Sequence, residues 1–152
     1  MLPIDENTED DNDLEAAALV DSGYEYNSLG QYERAIQDFD EAIRLNPQDA
    51  NAYYDRGLAY AKLGHYEQAI QDFDEAIRLD SQDAMAYYNR GNAYYYLGQY
   101  ERAIQDFGEA ILLNPQDAGA YYNRGVAYGL IGKSIEEERD FAKAKELGIE
   151  AP

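Results

Sequence analysis

The chain has no cysteine, which excludes disulfides and thiolate metal sites. Its single histidine, His65, leaves no histidine pair for a metal, and no glycine-rich phosphate loop or nucleophile–base arrangement is present. No metal or cofactor is expected, and the chain does not read as an enzyme. Basic residues are scarce, 12 against 31 acidic ones for a net charge of −19. That field repels a phosphate backbone, and without a basic patch nucleic acid is excluded as a partner. The acidity serves either solubility or the steering of a basic partner. No apolar run approaches the roughly 18 residues of a membrane span, and the N-terminus lacks the basic-then-apolar pattern of a secretory signal. A cytoplasmic location is therefore expected, unless a leader has been removed.

What the chain does have is a period. Ala84–Asp117 repeats Ala50–Asp83 at 23 of 34 positions without a gap. The same frame extends backward to Ala16 and forward to Ala151, giving four units, 16–49, 50–83, 84–117 and 118–151. A fixed period of this size marks stacked supersecondary units, each burying its face on its neighbours. The 1–15 segment stands outside the frame. Asp5, Glu6, Glu9, Asp10, Asp11 and Asp13 lie in it without a basic residue, so it is expected to be disordered. The Asp10–Asp13 cluster lacks the glycine and distal glutamate of a calcium loop.

Within each unit, position 8 is glycine (Gly23, Gly57, Gly91, Gly125) and position 11 tyrosine (Tyr26, Tyr60, Tyr94, Tyr128). Position 24 is phenylalanine (Phe39, Phe73, Phe107, Phe141) and position 27 alanine (Ala42, Ala76, Ala110, Ala144). Position 20 is alanine in three units and Glu137 in the last, and position 32 is Pro47 and Pro115 in two. Positions 4, 8 and 11 share one stripe at 100° per residue, which predicts an amphipathic helix A over positions 1–14. Helix B is predicted over about 17–30. The glycine at 8 is expected to let a neighbouring helix approach, received by the small residues at 20 and 27. Gly30, Gly64, Gly98 and Gly132 at position 15 end helix A, and Asp49, Asp83 and Asp117 are placed to N-cap the next one. In the last unit Glu137, Glu138 and Lys145 replace apolar residues, which reads as a terminal cap closing the stack.

These residues resemble the tetratricopeptide-repeat signature, in the Arg-Gly variant common in bacterial arrays, over Ala16 to about Ile149. The resemblance implies an all-α fold, a right-handed α-α superhelix of four helix–turn–helix repeats. It also implies a concave groove, lined by the A helices, that binds an extended peptide or a partner helix. Units two and three differ within helix A at positions 2, 6, 9, 12 and 13, and 2, 6, 9 and 13 fall on one face opposite the core stripe. The groove would then carry Asp21, Tyr24, Tyr54, Asp55, Leu58, Tyr88, Asn89, Asn92, Tyr95, Tyr122, Asn123 and Val126. The tyrosines offer stiff contact area with a polar tip. Asn89 and Asn123 offer both a donor and an acceptor to a peptide unit. Asp21 and Asp55 only accept, so the N-terminal half favours a basic side chain. One family subclass clamps a C-terminal carboxylate with lysine, asparagine and arginine at set positions. Only Asn89 can match that pattern here, so such a clamp is not expected.

Arg56, Arg90 and Arg124 at position 7 lie on the core side of helix A and need partners. Position 23 supplies Asp38, Asp72, Asp106 and Asp140. Because Ser22 replaces the arginine in the first unit, the preferred pairing crosses units: Asp38–Arg56, Asp72–Arg90 and Asp106–Arg124. Pairing within each unit is the rival. The functional expectation is a protein-interaction scaffold, such as an assembly factor, co-chaperone or adaptor. The alternatives are a self-associating module forming homo-oligomers, or a piece or idealised version of a longer array without a ligand of its own.

Overall fold

The computed structural model describes residues 7–149. Among them are eight helices and no strand: α1 Asn7–Ser28, α2 Tyr32–Leu45, α3 Ala50–Lys62, α4 Tyr66–Leu79, α5 Ala84–Tyr96, α6 Tyr100–Leu113, α7 Ala118–Leu130 and α8 Ser134–Glu146. They gather into two compact units that divide between Leu79 and Asp80. In the first, α1 packs on α2 and α3 on α4, while α3 also meets α2 and α1. In the second, α5–α6 and α7–α8 pair likewise, and α7 meets α6 and α5. Each unit is thus two antiparallel hairpins stacked side by side, and the odd-numbered helices are the A helices.

The punctuation is chemical. Gly30, Gly64, Gly98 and Gly132 take φ between 73° and 77°, a left-handed turn that costs glycine little. In the first of these turns Gln31 N–H reaches back to Tyr26 O at 2.8 Å, closing the helix in a Schellman-type cap. The B-to-A turns begin with a side-chain acceptor: Asn46 Oδ1 takes Gln48 N–H at 3.1 Å and Asp80 Oδ1 takes Gln82 N–H at 3.0 Å. Asp49, Asp83 and Asp117 then accept from the N–H two residues on at 2.9 Å, capping α3, α5 and α7. Helices of 13 or 14 residues are marginal alone, so packing must hold them.

That packing centres on phenylalanine. Phe39, Phe73 and Phe107 are fully buried, each stabilising by about 2–3 kcal/mol through burial. Their rings lie against the position-8 glycines. A Cβ added at Gly57 would meet Phe73 Cε1 at 2.8 Å, and one at Gly91 would meet Phe107 Cε1 at 2.9 Å. The close approach expected at this glycine is real, but an aromatic ring occupies it rather than the alanines at 20 and 27. Those alanines are buried elsewhere in the same layer. In the last repeat Phe141 is only half-buried, and Glu138 and Lys145 stand exposed.

Two expectations are corrected. Residues 7–15, read as part of an acidic disordered tail, belong to α1, and only 1–6 of that tail lies outside the described residues. Acidic side chains in the first turns of a helix oppose the positive end of its dipole, which favours that extension. The arginines also pair inside their own repeats. Arg56 forks onto Asp72, Arg90 onto Asp106 and Arg124 onto Asp140, each through Nε and Nη2 at 2.7–2.8 Å. Asp38, assigned to Arg56 on the sequence, instead accepts from Ser22 Oγ at 2.6 Å. The acceptor across the repeat boundary is Asp40, whose Oδ1 takes Arg56 Nη1 at 2.7 Å. Stacking explains the choice. Each guanidinium lies over the position-4 tyrosine of its own helix, Tyr53, Tyr87 or Tyr121, at 5.5–5.7 Å, which orients the fork toward the adjoining B helix. Burial alone would lower the pKa of Arg56, but the carboxylates of Asp72 and Asp40 outweigh it and raise the value.

Asp140 is 3% exposed, so Arg124→Ala strands a buried carboxylate. It should cost about 2–3 kcal/mol in urea unfolding, whereas Arg124→Leu combined with Asp140→Leu recovers most of that loss. The third repeat offers a complementary gain. Where the first repeat has Asp40 it has Gly108, and a Cβ there would lie 3.8 Å from Arg124 Nη1. Gly108→Asp should therefore exceed the isosteric Gly108→Asn in stability by about 0.5 kcal/mol at low salt. The difference should shrink in 1 M salt, and equal melting temperatures would rule the second ion pair out.

Candidate functional site

The odd-numbered helices place several of the predicted surface residues around a pocket in each unit. In the first unit a cavity of about 220 Å³ is lined by Tyr24, Asn27, Ser28, Tyr32, Asp55, Leu58 and Lys62. In the second, one of about 240 Å³ is lined by Asn92, Tyr95, Tyr96, Tyr122, Asn123 and Val126. Both occupy the same register of the repeat: positions 9, 12 and 13 of one A helix facing positions 6 and 9 of the next. Tyr24, Asp55, Leu58, Asn92, Tyr95, Tyr122, Asn123 and Val126 are residues the sequence singled out. Asn27, Ser28, Tyr32, Lys62 and Tyr96 were not. Positions 12 and 13 were visible as variable between repeats two and three, but Tyr32 starts helix B and carried no such signal.

Tyr54, Tyr88 and Asn89 line neither pocket. The rings of Tyr54, Tyr88 and Tyr122 pack on Phe73, Phe107 and Phe141 of their own repeats, with centroids 5.5–5.9 Å apart. One face of each phenol therefore serves the fold. Asn89 Nδ2 donates to Met85 O one turn back at 3.0 Å. Asp21 is exposed and lies in neither cavity.

The second pocket is a satisfied polar network. Asn123 Nδ2 donates to Tyr88 Oη at 3.0 Å and to Asn92 Oδ1 at 2.9 Å. Both amide hydrogens are spent, which leaves the Asn123 carbonyl as its open polar atom, and Tyr95, Tyr96 and Val126 supply aromatic and apolar wall. The edge-on rings of Tyr95 and Tyr96, 5.7 Å apart, hold that wall stiff.

The first pocket is the opposite case. Asn27 Nδ2 donates to the Asp55 backbone carbonyl at 3.0 Å, and Asn27 Oδ1 is left buried without a hydrogen-bond partner. No hydrogen bond or ion pair among the described residues engages the Asp55 carboxylate. Burial, with a smaller push from the charge of Asp49, raises its pKa to about 6. Among the described residues no group of three histidine, cysteine, aspartate or glutamate side chains is placed to hold a metal. None of the described helices is long and apolar enough to cross a membrane.

A raised carboxylate pKa makes the folded chain bind its proton more tightly than the unfolded one. Stability contributed by Asp55 is therefore present at low pH and lost as pH climbs from the ordinary aspartate range to about 6. Asp55→Asn should leave the melting temperature nearly unchanged at pH 4 and raise it at pH 7.5. A shift that is the same at both values would show that Asp55 is not held at a cost.

Comparison with known proteins agrees with this architecture. The family model described as TPR repeat matches residues 23–64, 61–98 and 91–132. A search of curated proteins found no match to the chain. Among solved structures, the crystal structure of MamA is 30% identical, covers 87% of this chain and 77% of its own, and superposes with a TM-score of 0.85. The TPR domain of OM64 from Arabidopsis is 30% identical over 78% of this chain and 98% of its own, at 0.76. The first TPR of Spaghetti (RPAP3), bound to the HSP90 peptide SRMEEVD, is 24% identical over 78% and 94%, at 0.77, a likeness of fold alone. With its 34-residue period, its glycine–phenylalanine hairpins and these matches, the chain belongs to the tetratricopeptide-repeat family.

Proposed function

We propose that this chain is a non-catalytic protein-interaction scaffold that binds an extended peptide or protein segment on the A-helix faces of its repeats, as an assembly factor, co-chaperone or adaptor does. The observation that carries this reading is the recurrence of one pocket at one register in both units, with a different lining each time. A cavity that arose only from packing would repeat its chemistry along with the fold. Here the framework residues repeat while the lining varies. Tyr54, Tyr88 and Tyr122, anchored on the phenylalanines beneath them, flank the pockets as stiff contact surface of low ordering cost. The solved neighbour that holds the peptide SRMEEVD illustrates an acidic ligand on this fold. The present face favours a basic one, because the cations of its A helices at position 7 are already paired with Asp72, Asp106 and Asp140.

A display library of random peptides selected on the chain tests the proposal. Selected peptides should lose about tenfold in affinity, near 1.4 kcal/mol, for Asn92→Ala combined with Asn123→Ala. They should bind unchanged to Gln37→Ala on an exposed position of α2. Peptides indifferent to the first variant and sensitive to the second would move binding off the A-helix faces.

A further inference from the structure

We propose that the pocket between α1 and α3 is a subsite for a basic side chain, lysine or arginine, of the bound segment, with Asp55 as its counter-ion. The inference rests on the peptide-binding reading and adds the chemistry of one position in the ligand.

Three observations support it together. First, the pocket holds two acceptors that the fold does not use, the Asp55 carboxylate and the buried Asn27 Oδ1. Buried acceptors normally find a donor, so an orphan beside an unpartnered carboxylate marks a place left for one. A cationic side chain brings two or more donors and no acceptor, which complements that lining. Second, the remaining wall suits the stem of such a side chain. Tyr24, Tyr32 and Leu58 offer aromatic and apolar surface to its methylenes, and the phenol rings attract its charge. Tyr24 is 61% exposed, so the wall is open to a ligand from outside. Third, the equivalent place in the second unit lacks the negative charge. There position 6 is the neutral Asn123, whose donors are committed to Tyr88 and Asn92. The two pockets therefore differ in what they accept, and the second unit is an internal control for the first.

The charged and titratable groups around Asp55 are Asp49 in the turn before α3, Lys62 on α3 itself, Tyr24 on α1 and Tyr32 on α2. Lys62 is exposed at the rim and forms no ion pair with Asp55, so it opposes an incoming cation without neutralising the site. Asp49 is committed to the α3 N-cap. His65 lies exposed in the turn after α3, its ring beside Tyr60, and does not line the pocket.

The probes are the blocked peptides acetyl-Ala-Ala-Lys-Ala-Ala-amide, its arginine counterpart and its norleucine counterpart. Each is titrated into the 15N-labelled full chain and followed by amide chemical shifts. The basic peptides should move the amides of Asn27, Ser28, Leu58 and Lys62 and bind about fivefold more tightly than the norleucine peptide. With the Asp55 pKa near 6, their binding should tighten about fourfold between pH 5 and pH 7.5 as the carboxylate ionises, and should do so equally with His65→Gln. Asp55→Asn should remove both the preference and the pH dependence. Lys62→Gln should tighten binding, a gain that a folding defect cannot imitate. If the norleucine peptide binds the first pocket as well as the lysine peptide does, the basic subsite is wrong while peptide binding on this face stands. If none of the three moves any A-helix residue, both fall.

Discussion

A single contact sets the spacing of this molecule: the phenylalanine of each B helix lying on the glycine of its own A helix. The ring sits where a Cβ would be, closer than any alanine could tolerate. That approach fixes the separation within a hairpin and leaves the rest of both helices little freedom. It buries three of the four rings completely and brings the position-5 tyrosines of the last three repeats against their phenylalanines in tilted contact. It also brings the position-7 arginine level with the aspartate next to the phenylalanine, so the guanidinium can fork across the hairpin. The helices are too short to persist without this contact, and the outer faces inherit their register from it.

Much of that was legible in the sequence, because it repeats. The period, helix limits, glycine turns and aspartate caps each depend on residues within a few positions of one another, and four copies of the pattern removed most ambiguity. The partner of each arginine was not legible. Position 23 of the same repeat and position 23 of the one before are nearly equidistant along the chain, 16 residues in one direction and 18 in the other. Ser22 tipped the choice the wrong way. It was read as needing no partner, yet its hydroxyl takes the arginine's place on Asp38. What decided the pairing is the stacking of each guanidinium on a tyrosine three residues earlier, a three-dimensional constraint without a spacing signature. The start of α1 was obscured for a related reason. Composition spoke for a solvated tail, and the favourable placing of acidic residues at a helix N-terminus acts only once the helix behind it is anchored.

The candidate site was legible as a face and not as a chemistry. Variation between repeats pointed to positions 2, 6, 9, 12 and 13, and the pockets use all of them except position 2. Whether a polar side chain there is free for a ligand depends on its neighbours. Asn123 and Asn89 were read as offering donors, yet those donors go to Tyr88, Asn92 and a backbone carbonyl. Asp55 and Asn27, by contrast, keep acceptors that nothing else engages. Free hydrogen-bonding capacity belongs to an arrangement of side chains, so one residue type at one repeat position can be spent in one unit and open in the next.

Asp55 differs from the other half-buried and buried aspartates of the A–B hairpins in that its carboxylate has no partner among the described residues. The buried aspartates at position 23 are matched to arginines that counter their burial inside the repeat, although at Asp72 burial still outweighs Arg56 and holds the pKa above its ordinary value. Asp55 is half-buried without any such match, and its raised pKa records the cost of holding a charge there. Packing does not require that cost, since the second unit closes the same corner with an amide. An unmatched, half-buried carboxylate is stabilised by a donor or a positive charge brought to it from outside the repeat. The repeat can tolerate such a position because its fold rests on the hairpin contact beneath, and a change of one side chain on the A-helix face leaves that contact untouched. Specificity can then be altered one repeat at a time while the framework stays constant.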